Sequence, residues 1–419
     1  MTSIRRRAAR LLTLVAAILA AHAPLNGQAR ARARDLGINL PGTPGPLNAI
    51  TDVAGVEVGH ATLIRGEGRL VRGQGPVRTG VTAILPRGRT GPDSVFAAWF
   101  TLNGNGEMTG TTWIEESGLL EGPVLITNTN SVGVVRDAVI DWMSRNGRAP
   151  IFALPVVAET FDGALNDGLG FHVRREHAFA ALDGARGGRV QEGNVGGGTG
   201  MMCHFFKGGI GTASRRVTVG DSTYTVGVLV QCNYGGRREL RVDGVPVGEE
   251  IRDLRPCMAL GQRASQEWLS RVPLCSPGPT SLETSDARLR IEGMGSIIVV
   301  VATDAPLLPH QLKRIATRVS LGVGRMGGFG ENTSGDIFLA FSTANRRGAS
   351  VTEGVGDVRM LSNEEISPFF NATVYATEEA ILNAMLAAET MTGADGFRVF
   401  ALPHDRLVEI MRRHGRIRN

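Results

Sequence analysis

The chain has 419 residues, 42% of them hydrophobic, enough for two or three average domains or one large one with a substantial core. Its formal charge of +5 is concentrated at one end: Arg5, Arg6, Arg7, Arg10, Arg30, Arg32 and Arg34 precede the first acid, Asp35, and setting these seven aside leaves 5 − 7 = −2. The remainder has no basic excess of the kind nucleic acid requires, so no nucleic-acid partner is expected.

Residues 1–29 have the composition of a secretory leader, with arginines ahead of the apolar run Leu11 to Ala21 and small residues suited to cleavage near Ala23 or Ala29. The run is too short for a comfortable membrane span. An uncleaved anchor is the alternative reading. The expectation is an exported protein, periplasmic or secreted.

Along the chain, Asp52 to Leu63, Val81 to Leu85 and Val95 to Leu102 predict strands, the last running into the turn-rich loop Asn103 to Gly110. Val124 to Ile126 predicts a strand and Val132 to Met143 a helix, with Val135, Ala138 and Val139 on one face. Between them, Thr127-Asn128-Thr129-Asn130-Ser131 places side-chain amides at a strand end, where ligands tend to meet a sheet, and Asn130 is a candidate substrate contact. Ile151 to Val157 predicts a strand delivering Glu159-Thr160-Phe161-Asp162, whose Glu159 is either a solvated loop carboxylate or a ligand contact. The glycine-rich run Gly193 to Gly200 lacks the Gly-Lys-Ser/Thr of a phosphate loop.

Tyr224 to Gln231 predicts a strand ending in Cys232-Asn233, and Arg237 to Met294 is irregular, charged and linker-like, most of all Pro277 to Asp286. Pro306 to Leu321 predicts a helix, and the Gly-x-Gly-x-x-Gly at Gly322, Gly324 and Gly327 follows that helix instead of a strand, so it is no dinucleotide fingerprint. Ile337 to Thr343 predicts a strand, Thr377 to Thr392 a helix with Glu378 and Glu379 in its first turn, and Asp405 to Arg413 a last helix. Strands mixed with a few long helices indicate a layered α and β architecture.

Several chemistries lack their residues. Lys207 and Lys313 are the only lysines and neither sits in Ser-x-x-Lys; there is no Gly-x-Ser-x-Gly, no Cys-x-x-Cys, and no His-Glu-x-x-His. No metal and no cofactor is expected. A disulfide between Cys257 and Cys275 is compatible with export, whereas Cys203 and Cys232, in apolar surroundings, are expected as buried thiols.

What stands out is Gly293-Met294-Gly295-Ser296 running into the unbroken apolar and β-branched stretch Ile297 to Thr303, which suits a strand covered on both faces. In most proteins Gly-Ser before such a strand is turn chemistry. Were the chain cut between Gly295 and Ser296, however, the new terminus would carry a hydroxyl and an amine on one residue of a rigid element, the layout of an N-terminal nucleophile. A terminal α-amine with a pKa near ~8 is roughly a tenth unprotonated at about pH 7, against about one in two thousand for a lysine near ~10.4. Such a serine brings its own base.

Gly295-Ser296 with the stretch to Leu307, the Asn103 to Gly110 loop, Glu159-Thr160, Gly193 to Gly200, Asn233 and Ser334-Gly335-Asp336 together resemble the DmpA/BapA family, peptidase family S58, over roughly Asp35 to Leu402. The resemblance implies an α+β fold, a four-layer αββα sandwich, formed by a single catalytic domain (30–419) that cuts itself into an α chain ending at Gly295 and a β chain starting at Ser296. It implies Ser296 as nucleophile, Ser334 and Asp336 as the groups holding its hydroxyl and amine, Asn233 as oxyanion donor and Glu159 near the substrate's amine. Phe161 stands where the family has a second oxyanion group, a tyrosine, so that hydroxyl is missing unless a backbone N–H substitutes.

The implied activity is hydrolysis of the N-terminal residue from peptides, amides or esters, with L-amino acid, D-alanine amide or β-amino acid substrates left open. The implied partners are a peptide or amino-acid amide substrate, the two processed chains for each other, and a homo-oligomer, commonly a tetramer of processed pairs. Two alternatives are a self-cleaving acyltransferase of the ornithine acetyltransferase type, which uses threonine, and a non-catalytic exported binding protein.

Overall fold

A strand can be apolar on every residue only if both its faces are covered, and Ser296–Thr303 is buried at all eight positions. The computed structural model describes residues 30–91, 94–148, 152–261, 263–275, 295–351 and 353–417. The expected leader at 1–29 and the loop Pro277 to Asp286 lie outside the described residues.

The strands, in chain order, are β1 (Glu57–Arg65), β2 (Val77–Leu85), β3 (Val95–Thr101), β4 (Leu119–Leu120), β5 (Val124–Asn128), β6 (Val156–Thr160), β7 (Met202–Cys203), β8 (Phe206–Lys207), β9 (Gly209–Val219), β10 (Ser222–Asn233), β11 (Cys257–Met258), β12 (Ser296–Thr303), β13 (Ile337–Ser342), β14 (Met391–Thr392) and β15 (Phe397–Val399). A four-stranded sheet runs β1-β2-β5-β6 and a six-stranded sheet β4-β3-β13-β12-β10-β9. Ile84, Ile126 and Ala158 of the first meet Leu229, Ile298, Val300 and Leu339 of the second in one core. The outer face of the small sheet packs, through Leu125 and Val157, on the helices Val132–Arg145 and Arg175–Asp183. Val228, Val299 and Phe338 on the outer face of the large sheet pack on the helices Pro309–Arg325 and Ser367–Leu386. This is the expected four-layer αββα order.

Several expectations are corrected. The helix expected at Thr377 to Thr392 spans Ser367–Leu386, so Glu378 and Glu379 lie in mid-helix and fully buried instead of at a solvated first turn. Their charges are matched from elsewhere in the chain: Arg34 Nε and Arg215 Nη2 reach Glu379 at 2.9 and 2.6 Å, and Arg325 Nε reaches Glu378 at 2.5 Å. β9 went unmarked because its inner half carries glycine where an apolar side chain would signal a strand. Gly211 is required there, since a Cβ would lie 2.0 Å from the carbonyl of Ala380 on the overlying helix.

The tract after Asn233 is no linker over Arg237 to Cys275. Arg237 is fully buried, its guanidinium donating to the carbonyls of His204, Phe205, Ile251 and Asp253 and lying 3.3 Å from the centroid of the Phe206 ring. Charge and proline gave this tract a loop-like sequence, while one buried arginine satisfies five backbone carbonyls, that of Leu254 included, which strands and helices would otherwise pair. Cys203 and Cys232 are buried as expected but are joined in a disulfide, not free thiols, because the chain reversal through β7 and β8 brings Cys203 beside the end of β10. Cys257 and Cys275 form a second disulfide.

Glu379→Ala removes the carboxylate that balances Arg215, whose side chain is 1% exposed. Stranding a buried charge in this way costs about 3–5 kcal/mol. We expect a matching fall in denaturant resistance, measured by urea unfolding at neutral pH.

Candidate active site

β12 lies antiparallel to β10, with Ser296 opposite Asn233, and parallel to β13, with Ile298 opposite Ile337. Side chains alternate along a strand, so Ser296 shares the inter-sheet face with Ile298 and Val300, and Asn233 shares it with Leu229. The two are a cross-strand pair at the end of the large sheet, in the gap between the sheets. Gly295, just before, has φ +149°, and a Cβ there would lie 1.9 Å from the Asn233 carbonyl oxygen. Only glycine fits this approach.

Ser296 is 5% exposed, and its Oγ accepts the Gly335 N–H at 3.0 Å. Behind it, Ser334 Oγ donates to Asp336 Oδ1 at 2.6 Å, and the Ile297 N–H donates to the same oxygen at 3.2 Å. Asn103 grips Asp336 twice: its Oδ1 accepts the Asp336 N–H at 2.6 Å and its Nδ2 donates to Oδ2 at 3.4 Å. Burial raises the Asp336 carboxyl above the usual carboxylate range, against these hydrogen bonds, which favour the ionised form.

From the small sheet, Glu159 near the end of β6 is 3% exposed, accepts the Glu107 N–H at 3.0 Å and is hydrogen-bonded by the Thr129 hydroxyl. Burial raises this carboxyl too. Asn233 Nδ2 donates to the Phe161 carbonyl at 3.0 Å while its Oδ1 accepts the Met202 N–H at 2.8 Å.

Gly295, Ser296, Asn233, Glu159 and Phe161 all line one cavity of about 380 Å³, a size suited to a small-molecule site. Ser334 and Asp336 sit directly behind the serine. Asn130 is not among the lining residues: its amide donates to the Gly168 carbonyl at 3.0 Å, and Thr129 faces the cavity in its place. Phe161 has no hydroxyl to offer, and its ring lies 5.8 Å from that of Trp268, centroid to centroid. Residues the sequence did not single out include Asn103 as a bracket on Asp336, Thr129 on Glu159, and Trp268, whose irregular tract carries no periodic signal. The sequence did hold a signal for Asn103 and Glu107, since both belong to the polar loop after β3.

A serine hydroxyl, an amide donor on the facing strand, and a buried carboxylate across the gap suit a substrate with a reacting carbonyl beside a cationic amine. Comparison with known proteins supports that chemistry. Residues 48–399 match the model of peptidase family S58. The chain is 53% identical over 386 residues to the β-peptidyl aminopeptidase BapA of Sphingosinicella microcystinivorans, covering 92% of this chain and 93% of the relative. It is 46% identical to BapA of Sphingosinicella xenopeptidilytica, covering 98% of each. Among solved structures, the L-aminopeptidase D-Ala-esterase/amidase of Ochrobactrum anthropi, described as a variant of the Ntn hydrolase fold, matches with TM-score 0.79 at 45% identity over 92% of this chain and 99% of its own. A Burkholderia β-aminopeptidase matches with TM-score 0.76 at 45% identity over the same shares.

Asp162, next to Phe161, is buried, and burial pushes its carboxyl from an ordinary 3.8 up to about 7. With the folded value raised, the native state holds a proton that the unfolded chain releases, so stability present below about pH 4 is lost as pH rises toward about 7. Asp162→Asn is expected to flatten that decline, read as the difference in urea midpoint between about pH 5 and pH 8 for wild type and variant.

Proposed function

The chain belongs to peptidase family S58, and on that premise we propose that it is a β-peptidyl aminopeptidase that cuts itself between Gly295 and Ser296 and removes N-terminal β-amino acid residues from peptides. The broader activity is that of a hydrolase, a self-processing aminopeptidase of the N-terminal nucleophile type. The β-amino acid preference is supported by the two relatives named for it, at 53% and 46% identity over nearly their whole lengths. The acyltransferase and binding-protein alternatives find no support in the family match.

The observation that carries the reading is Ser296 at the start of a buried strand, behind a glycine no other residue could replace, opening on the cavity that holds Glu159. In the translated chain the Ser296 amine is a peptide nitrogen. Ser296 Oγ first attacks the Gly295 carbonyl, the C–N bond to Ser296 breaks as its nitrogen takes the proton, and water hydrolyses the resulting ester. The freed amine is then the base. In turnover Ser296 Oγ attacks the carbonyl of the substrate's first residue, its proton passes through the α-amine to the leaving nitrogen, and water releases the acyl group.

Asn233, opposite Ser296 on the facing strand and lining the same cavity, is the side-chain oxyanion donor. Its present acceptor is the Phe161 carbonyl, so it serves the oxyanion by exchanging one carbonyl oxygen for another. Asp336, bracketed by Asn103, accepts the Ile297 N–H one residue after Ser296 and holds the freed ammonium. Glu159 receives the substrate's amine.

The same reading places the protein outside the cytoplasm with residues 1–29 removed. Support comes from the leader composition and from two disulfides, which persist in oxidising compartments. Assembly into a tetramer of processed pairs rests on the family resemblance.

Intact-mass measurement after expression is expected to find two chains, the smaller being 419 − 295 = 124 residues, and one uncut chain for Ser296→Ala. A wild-type protein that remains uncut yet hydrolyses amino-acyl p-nitroanilides would defeat the mechanism. Activity of the processed enzyme should also rise as the α-amine loses its proton, through about pH 7 to 8. A flat rate from about pH 5 to 9 would rule the amine out as base.

A further inference from the structure

The cavity is chemically two-sided. Its polar lining includes Ser296, Asn233 and Glu159; its apolar lining includes Phe161, Ala164, Met202 and Trp268. A substrate whose amine meets Glu159 and whose first carbonyl meets Ser296 must lodge the side chain of that same residue between the two, against this wall. The aminopeptidase function supplies the two polar anchors, and the role of the apolar wall rests on it.

Phe161 and Trp268 reach the wall by different routes. The Phe161 ring folds back over Gly163, where a Cβ would lie 2.3 Å from the ring's Cζ, and it is 42% exposed toward the cavity. Trp268 comes from the segment 257–275, far from the catalytic strands in sequence. It meets Phe161 at a tilted 54°, with ring centroids 5.8 Å apart, a favourable aromatic arrangement. The segment is fixed at several points. Cys257 and Cys275 close it with a disulfide, and β11 pairs with β15. The Ser265 N–H and hydroxyl both donate to Asp395 Oδ2, at 2.7 and 2.5 Å. Leu269 and Val272 are buried against Ala164, Phe205 and Phe397. The indole N–H donates to Gln266 Oε1 at 2.9 Å, and Gln266 Nε2 donates to the Gly163 carbonyl at 3.3 Å, directly beneath the Phe161 ring. The tryptophan's polar atom thus faces its own segment and leaves the ring for the cavity.

We propose that Trp268 is a specificity-determining residue: with Phe161 it walls an apolar subsite for the side chain of the substrate's N-terminal residue, and the Cys257–Cys275 disulfide holds it there. The subsite selects large apolar or aromatic side chains over small ones. The disulfide is a positioning element and takes no part in the chemistry.

The test compares kcat/KM for two p-nitroanilides, β-homophenylalanyl and β-alanyl, which share amine, carbonyl and leaving group and differ in side chain. Trp268→Ala is expected to lower kcat/KM for the aromatic substrate on the order of tenfold or more, with little change for β-alanyl. Trp268→Phe should keep most of the ratio. The Cys257→Ser, Cys275→Ser double variant should lower the ratio in the same direction. Equal losses on both substrates would mark Trp268 as merely structural and overturn the proposal, as would an unchanged ratio. Should Trp268→Ala fail to mature into two chains, Trp268→Leu is measured on the same ratio, and a wild-type ratio there overturns the proposal. A wild-type enzyme that hydrolyses neither substrate overturns the β-peptidyl reading on which the subsite rests, and the subsite with it.

Discussion

The backbone register at the start of β12 is the constraint on which the rest of the site depends. A strand buried on both faces must pair its N–H and C=O groups on both edges, and β12 does so with β10 and β13. Once Ser296 is opposite Asn233, side-chain alternation puts the hydroxyl and the amide in the gap between the sheets; a slip of β12 by one residue would turn the hydroxyl toward the helices. The glycine at 295 is part of the same constraint, because the register brings its α-carbon onto the Asn233 carbonyl. The Gly295–Ser296 bond is therefore held by the pairing of the large sheet, and a hydroxyl set on such an element needs little further ordering to react.

The other half of the site comes from the small sheet, and the loop after β3 ties the halves together. Asn103 brackets Asp336, the Asn105 N–H donates to the Ser334 carbonyl at 3.2 Å, and the Glu107 N–H donates to Glu159. One short loop thus fixes the spacing between the serine side and the amine side. Desolvation raises both Asp336 and Glu159, which makes each carboxylate costly to ionise alone, and an arriving cation offsets that cost. In the proposed chemistry the two ammonium groups, one on Ser296 after the cut and one on the substrate, are the cations that suit these places. Apolar lining completes the cavity, and the low polarity there strengthens the electrostatic contacts beside it.

Much of the fold was legible in the sequence because it follows from local pattern. The apolar runs became β2, β3, β5, β10, β12 and β13, and the periodic stretches became helices, with ends moved by a few residues except in Ser367–Leu386, which starts 377 − 367 = 10 residues before its expected start. Failures came where distant partners override local signals. Glu378 and Glu379 looked like a solvated helix start until arginines from three other segments matched them inside the core. Gly211 hid β9, since what demands glycine there is a helix far downstream in the chain. The charged tract after Asn233 looked like a linker because one buried arginine's bonds to carbonyls have no periodicity. By itself, the sequence pointed to Ser296 as the candidate nucleophile, to the Gly295–Ser296 bond before it, and to the layered α and β architecture, all of which depend on residue type and nearest neighbours. Only the tertiary structure decided that Glu159 faces Ser296 across a cavity, that Thr129 and not Asn130 borders it, that Cys203 pairs with Cys232, and that Trp268 forms its wall. Those facts depend on which chain segments the two sheets bring within a few ångströms of each other, a quantity no local spacing encodes.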